Sequence, residues 1–191
     1  GGHGARNLMV VTLGSGVGGG VIIDGKIVAG ARGAGGEIGH ACVEPEEPEA
    51  CNCGNHGCLE QMASATGIVR LAKRYLAEYK GKTVLNPSRI SAKSVYDALK
   101  AGDEAAAAIV EQVSDYLGNA LAIFSCVVDP EVIVIGGGVS KAGQILIDNV
   151  KKYYQKYAFI SCKDTPIVLA ELENDAGIYG AAKLALDGQN L

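Results

Sequence analysis

The order of the strand and helix patterns places the tightest limit on how this chain folds. Residues 8–13 (LMVVTL) form a short apolar run rich in branched side chains, which predicts a buried strand. Residues 21–23 and 26–29 are predicted as two more strands, because the Asp24-Gly25 pair between them is typical of a hairpin turn. We therefore expect the chain to begin with three antiparallel strands.

The rest of the chain is predicted to alternate between helices and two further strands. Apolar residues at three- and four-residue steps indicate the helices, and Asp103 is expected to cap the longest one. Since strands joined by helices pair in parallel, the prediction is one α/β domain with a mixed five-stranded sheet covered by helices. The later strands are predicted at 132–135 and 167–170, and the helices at 59–81, 91–100, 104–128, 140–157 and 175–186.

Composition and charge narrow the class of protein. A chain of 191 residues buries a substantial core without covalent cross-links. Its net charge of -4 provides no basic surface for a nucleic acid backbone, so no nucleic acid partner is expected for this segment. It contains no apolar run of about eighteen residues and no pattern typical of a signal peptide, which predicts a cytoplasmic protein without a membrane partner.

Two glycine-rich segments come directly after predicted strands. Residues 12–20 (TLGSGVGGG) form the first turn, where backbone N–H groups and the hydroxyls of Thr12 and Ser15 can surround an anion. Residues 136–138 (GGG) come after the buried strand at 132–135 and are expected to open into a helix. Either segment alone is also explained as a tight connection without a ligand. Two such turns in one sheet favour a nucleotide between them.

The segment CVEPEEPEACNCGNHGC concentrates the ligands that zinc prefers. Its C-x-C-G-x-x-G-C motif places Cys51, Cys53 and Cys58 within eight residues, and the glycines permit sharp bends. Three thiolates and one imidazole form a closed tetrahedral site, which is typical of structural zinc. Free thiols or a redox pair are the alternative, although reactive pairs usually have C-x-x-C spacing at a helix start. The spacing leaves the fourth ligand open among His40, Cys42 and His56.

Two carboxylates bracket this cluster. If a metal brings residues 40 and 58 together, Glu37 and Glu60 must also lie near each other, where they can accept hydrogen bonds from sugar hydroxyls. Taken singly, each is better explained as a solvated surface glutamate. The EPEEPE segment at 44–49 is acidic and contains prolines, so we expect it to be exposed.

Together these motifs closely resemble the ROK family of sugar kinases and sugar-responsive repressors. The shared segments are GxxGExGH at 33–40, CNCGNHGCLE at 51–60 and LGSGVGGG at 13–20, and the resemblance continues through VIVIGGG to ENDAGIYGAA. The CNCG..GCLE segment followed by ASATGI is most similar to the bacterial glucokinases of the family. The resemblance implies that residues 1–191 are a single C-terminal lobe of the actin-like ATPase (ribonuclease H-like) fold, with a zinc-binding loop as an insertion.

The resemblance also implies roles for individual residues, and it selects His40 as the fourth metal ligand. The implied ligands of a structural zinc ion are His40, Cys51, Cys53 and Cys58. The implied sugar contacts are Glu37, His40 and Glu60. The implied nucleotide contacts are Thr12, Gly14, Ser15, Gly16, Val17 and Gly18 near the phosphates, and Gly136, Gly137 and Gly138 near the adenosine. Family members usually have threonine where Ser15 stands, a change that keeps the hydroxyl.

The implied activity of the full-length parent is transfer of the γ-phosphate of Mg-ATP to the 6-hydroxyl of glucose or a related hexose. The resemblance also implies a homodimer. Family kinases carry an N-terminal lobe with a D-x-G-G-T loop and the aspartate that acts as general base; no segment matching that lobe is present here, so we expect this chain alone to be inactive. The alternatives are the ligand-binding lobe of a ROK-type repressor and a stand-alone zinc-stabilised binding domain.

Overall fold

The computed structural model describes residues 2–172, and the helix predicted at 175–186 lies outside that part. Five strands form one sheet in the order β3-β2-β1-β4-β5. β1 pairs antiparallel with β2 and parallel with β4, β2 pairs antiparallel with β3, and β4 pairs parallel with β5. The predicted mixed five-stranded sheet is confirmed. The strands are β1 (Leu8–Leu13), β2 (Val17–Ile23), β3 (Lys26–Ile27), β4 (Val132–Gly136) and β5 (Ile167–Leu169).

The first glycine-rich turn is shorter than predicted, because β2 begins at Val17 rather than at residue 21. Leu13 pairs with Val17 and Thr12 pairs with Gly18, so three of the glycines belong to the strand. Glycine is rare in strands, which explains the error. Gly19 is required there, since a Cβ would lie 2.5 Å from Cγ1 of Ile38.

Five α-helices are present within the described residues. The predicted helix at 59–81 is two helices, because Ser64 has an extended backbone that ends the first and caps the second by accepting the Gly67 N–H at 3.0 Å. The predicted cap at Asp103 is confirmed, as its carboxylate accepts the Ala106 N–H at 2.9 Å. The helices are α1 (Leu59–Ala63), α2 (Ala65–Glu78), α3 (Ala92–Lys100), α4 (Glu104–Val128) and α5 (Gln144–Tyr157).

The main core lies between the helices and one face of the sheet. Met9, Val11 and Leu13 alternate along β1 and are fully buried against helical side chains such as Leu117 and Leu121 of α4. Burial of each such side chain contributes about 1.5–3 kcal/mol. Among the helices of residues 2–172, none combines the length and the apolar character that a membrane span requires.

Candidate functional site

Four side chains of the Cys/His segment meet in one cluster. The donor atoms of His40, Cys51, Cys53 and Cys58 all lie within 4.8 Å of one another. The Sγ atoms of Cys53 and Cys58 are 3.6 Å apart, and Sγ of Cys51 is 3.8 Å from Nδ1 of His40. A tetrahedral zinc ion with bonds of about 2.0–2.3 Å sets its ligand atoms roughly 3.5–3.8 Å apart. The spacing of the cluster therefore fits a four-coordinate zinc ion.

The backbone of the loop forms this cluster with two tight bends. The N–H of Cys51 donates to the carbonyl of Asn55 at 2.6 Å, and the N–H of Gly54 donates back to the carbonyl of Cys51 at 2.9 Å. Gly57 has a φ of 70°, and a Cβ there would lie 1.8 Å from the carbonyl oxygen of Glu44. Glycine at that position is what allows the chain to turn into α1 beside the cluster.

The two other candidates for the fourth ligand lie outside the cluster. Nδ1 of His56 lies 3.1 Å from the backbone carbonyl of Glu47. Cys42 is exposed and its backbone bridges to that of Cys58, but its Sγ does not belong to the group of donor atoms. The set that the structure brings together is the one with His40.

The surroundings of two of the thiols shift their pKa values in opposite directions. Burial, together with the neighbouring sulfurs of Cys53 and Cys51, raises the pKa of Cys58 to about 12. The backbone N–H of Asn55 lowers the pKa of the exposed Cys53. Without a metal, the raised pKa keeps Cys58 a neutral thiol at pH 7, so binding of a zinc ion would release its proton.

The two predicted sugar-contacting carboxylates approach different members of the cluster. Oε2 of Glu37 lies 3.9 Å from Nε2 of His40, the ring nitrogen that faces away from Cys51. Oε2 of Glu60 accepts the Val17 N–H at 3.0 Å, and its Oε1 lies 3.9 Å from Sγ of Cys51. A ligand that contacts both Glu37 and Glu60 would therefore lie beside the cluster.

The first glycine turn lines an open cleft of 330 Å³. β1 and β4 are parallel neighbours, so the turns after them emerge at the same edge of the sheet, where ligands of α/β proteins bind. The cleft also contains Glu60, which places a predicted sugar contact beside the predicted phosphate contacts. It is lined by Thr12, Gly14, Ser15, Gly16, Val17, Gly18, Glu60 and Gly137.

The second glycine turn leads into a different element from the one predicted. A short 3-10 helix (Gly138–Ala142) comes next, and α5 begins only after Gly143, whose φ is 82°. The α-helix predicted to begin at about residue 140 therefore begins at Gln144, after the 3-10 helix. The turn instead borders a mainly apolar cavity of 380 Å³ between the 3-10 helix and α3, with Gly138 and Tyr96 in its lining.

The helix that does approach the first turn is α2. The N–H of Ala65 donates to the carbonyl of Gly14 at 2.8 Å, and the Thr66 hydroxyl donates to the carbonyl of Ser15 at 2.7 Å. These contacts fix the turn against the N-terminus of α2. No role is predicted for Thr66 from the sequence, because a hydroxyl in the first turn of a helix does not indicate which group it will contact.

The expected exposure of the EPEEPE segment is wrong at Glu47, which is only 5% exposed. Nη1 and Nη2 of Arg74 donate to its carboxylate at 2.7 and 2.8 Å, and Nη1 of Arg70 lies 3.5 Å from Oε1 of Glu47. The hydrogen bonds from Arg74 outweigh the effect of burial and lower the pKa of Glu47 to about 2. This ion pair fastens the loop to α2.

Comparison with known proteins places the chain among sugar kinases and their relatives. The glucokinase of Halalkalibacterium halodurans is 43% identical over 194 residues, covering 99% of this chain and 59% of that protein. The DNA-binding transcriptional dual regulator NagC of Escherichia coli is 33% identical over 172 residues, covering 89% of this chain and 42% of NagC. The chain thus spans about three fifths of the length of this glucokinase.

A solved structure of the same kind confirms the actin-like ATPase fold that the resemblance implied. A ROK family glucokinase from Streptomyces griseus, crystallised with glucose and AMPPNP, superposes with a TM-score of 0.86 at 31% identity, covering 96% of this chain and 62% of that chain. The sequence pattern of the ROK family matches residues 1–188. Since that match extends over almost the whole chain and the fold agrees with it, the chain belongs to the ROK family.

Proposed function

We propose that this chain is the C-terminal, sugar- and ATP-binding lobe of a hexose kinase, with glucose as the first substrate to test. The observation that carries the proposal is the position of Glu60. Its carboxylate borders both the Cys/His cluster and the turn between β1 and β2, so one cleft holds groups suited to a sugar and groups suited to phosphates. The similarity to glucokinases supports the choice of sugar.

In this proposal a zinc ion on His40, Cys51, Cys53 and Cys58 has a structural role. Four protein ligands leave no open position for a water or a substrate, so the ion would not take part in the chemistry. It would hold the loop so that the Nε2–H of His40 donates to a sugar oxygen, while the carboxylates of Glu37 and Glu60 accept from sugar hydroxyls. These three residues are the proposed sugar contacts.

The turn residues from Thr12 to Gly18 would bind the phosphates of Mg-ATP through backbone N–H groups and the hydroxyls of Thr12 and Ser15. The apolar cavity beside Gly138 has the size and lining suited to an adenine ring, with Gly136 and Gly137 near the ribose. A bound magnesium ion would neutralise charge on the transferring phosphate. We place the general base in an N-terminal lobe, so the fragment alone is proposed to be inactive.

The decisive experiment supplies the full-length protein with Mg-ATP and one hexose at a time and measures ADP formation. Glucose, mannose, N-acetylglucosamine and N-acetylmannosamine form the panel. We expect turnover of glucose, and a loss of about 10- to 150-fold in kcat/KM for Glu60→Gln, since a hydrogen bond to a charged group contributes about 1.5–3 kcal/mol. Glu46→Gln, an exposed change on the same loop, is the control. Absence of ADP with every hexose would refute the proposal.

The similarity to NagC supports a second candidate, the ligand-binding lobe of a sugar-responsive repressor. The higher identity and coverage of the glucokinase make the kinase the first choice. Sugar-dependent binding of DNA by the full-length protein, without ADP formation, would favour the repressor. The homodimer that the resemblance implies and the cytoplasmic location expected from the sequence stay predictions.

A further inference from the structure

Glu60 is a direct contact between the Cys/His loop and the turn that leads into β2. It lies in the first turn of α1, and its Oε2 accepts the Val17 N–H at 3.0 Å across 43 positions of sequence. Its other oxygen, Oε1, faces Sγ of Cys51 at 3.9 Å. The same carboxylate thus accepts a hydrogen bond from the proposed phosphate turn and lies beside a member of the cluster.

The fit between this carboxylate and the turn is close. A Cβ on Gly16 would lie 2.1 Å from Oε2 of Glu60 and 3.0 Å from its Cδ. At Gly20, farther along β2, a Cβ would meet no atom within 4 Å. The turn cannot shift freely away from Glu60, because α2 holds the carbonyls of Gly14 and Ser15.

We infer that Glu60 couples the two halves of the site, so that a bound sugar raises the affinity for the nucleotide and the nucleotide raises the affinity for the sugar. This inference rests on the proposed function. In the structure the Val17 N–H is occupied by Oε2, so it is not free for a phosphate oxygen. A sugar hydroxyl that donates to Oε2 would replace this N–H and release it to the phosphate.

Electrostatic repulsion between Glu60 and the phosphates favours the same coupling between sugar and nucleotide. A carboxylate next to a phosphate repels it, and the repulsion is strong where the surroundings exclude water. A hydroxyl that donates to the carboxylate reduces the negative charge facing the turn. Because linkage is reciprocal, the sugar and the nucleotide must change each other's affinity by the same factor, and we expect a factor of about 5–20.

The test measures glucose binding to the full-length protein by calorimetry, with and without a non-hydrolysable ATP analogue and Mg²⁺. Wild-type protein should bind glucose about 5–20 times more tightly with the analogue. Gly16→Ala should weaken glucose binding at least about tenfold although Gly16 lies on the phosphate turn, because the added Cβ displaces Glu60. Gly20→Ala is the matched control and should bind glucose as wild type does.

A second variant keeps the test valid if Gly16→Ala does not fold. Glu60→Gln keeps the shape of the side chain but removes its charge, and it should reduce the coupling factor to below about twofold. Independent binding of the two ligands to wild-type protein, or equal glucose affinity in Gly16→Ala and Gly20→Ala, would overturn the inference while leaving the kinase proposal intact. If wild-type protein neither binds nor phosphorylates any hexose, the proposed function itself fails and the coupling falls with it.

Discussion

Replacement of Glu47 by glutamine tests whether the buried ion pair, and not the metal cluster alone, holds the loop on the helices. The Glu47 side chain is 2% exposed and accepts two hydrogen bonds from Arg74, at 2.7 and 2.8 Å, and one from the Glu49 N–H at 3.0 Å. Glutamine keeps the size of the side chain. It removes the charge that these donors face and leaves a partly buried guanidinium without its main partner.

The pKa of Glu47 sets the scale of the effect. A fall from the ordinary value of 4.5 to about 2 corresponds to about 3 kcal/mol, since one pH unit is roughly 1.4 kcal/mol. Arg74 is 39% exposed and keeps Glu49 as a partner at 2.6 Å, so we expect a loss of about 2–3 kcal/mol in the free energy of unfolding. The folded-state pKa is lowered, so this stabilisation is complete above pH 5 and disappears as the pH falls from about 4.5 through about 2.

Urea unfolding of the purified protein measures this loss at pH 7 and again near pH 3. Glu49→Gln is the matched control, because Glu49 pairs with the same Arg74 but is 60% exposed, and it should cost less than about 1 kcal/mol. The difference between wild type and Glu47→Gln should shrink at the lower pH. Equal costs for the two variants at pH 7, or a Glu47→Gln cost that does not change with pH, would refute the reasoning.

Three further predictions concern the loop and the core. Removal of metal by a chelator should lower the Tm and expose the loop near Cys51 to protease, since the free energy of metal binding stabilises the folded loop; an unchanged Tm and cleavage pattern would contradict a structural metal. Gly57→Ala should weaken zinc binding, measured by competition with a chromogenic chelator, far more than Gly54→Ala. Both glycines have positive φ, but only at Gly57 would a Cβ meet a backbone oxygen, so equal effects would contradict the packing seen here. The hydroxyl of the buried Tyr96 has no hydrogen-bond partner within residues 2–172, so Tyr96→Phe should leave the free energy of unfolding unchanged or raise it by up to about 1 kcal/mol, as measured in urea; a loss of more than about 1 kcal/mol would mean that the hydroxyl is satisfied.

The parts of the fold that sequence predicted well are those that local patterns determine. The apolar run at Leu8–Leu13 forms the strand with the predicted ends, and Asp103 caps α4 as its position before an apolar helix indicated. Both features depend on residues adjacent in the chain. β2 was placed four residues too late, because its start consists of glycines whose strand conformation depends on pairing with β1.

The burial of Glu47 shows where local reasoning fails. Its neighbours in sequence are acidic or proline, which predicts exposure, whereas its partner Arg74 lies 27 positions away on α2. Arg70 and Arg74 are four residues apart and therefore lie on one face of that helix. Two arginines on one helical face and an acidic loop upstream indicate that an ion pair is possible. Which glutamate pairs with them depends on the path of the folded loop, which the sequence does not give.

The Cys/His loop and the glycine turn become one site through the start of α1. Cys58 is the N-cap of α1 and a member of the cluster, and Glu60 lies two residues later in the first turn of that helix. Any shift of Cys58 must therefore move Glu60 relative to the Val17 N–H, at a contact where Gly16 leaves no spare room. We thus expect loss of metal to disturb the phosphate turn as well as the sugar contacts, although no cluster side chain lies in the lining of the cleft beside that turn.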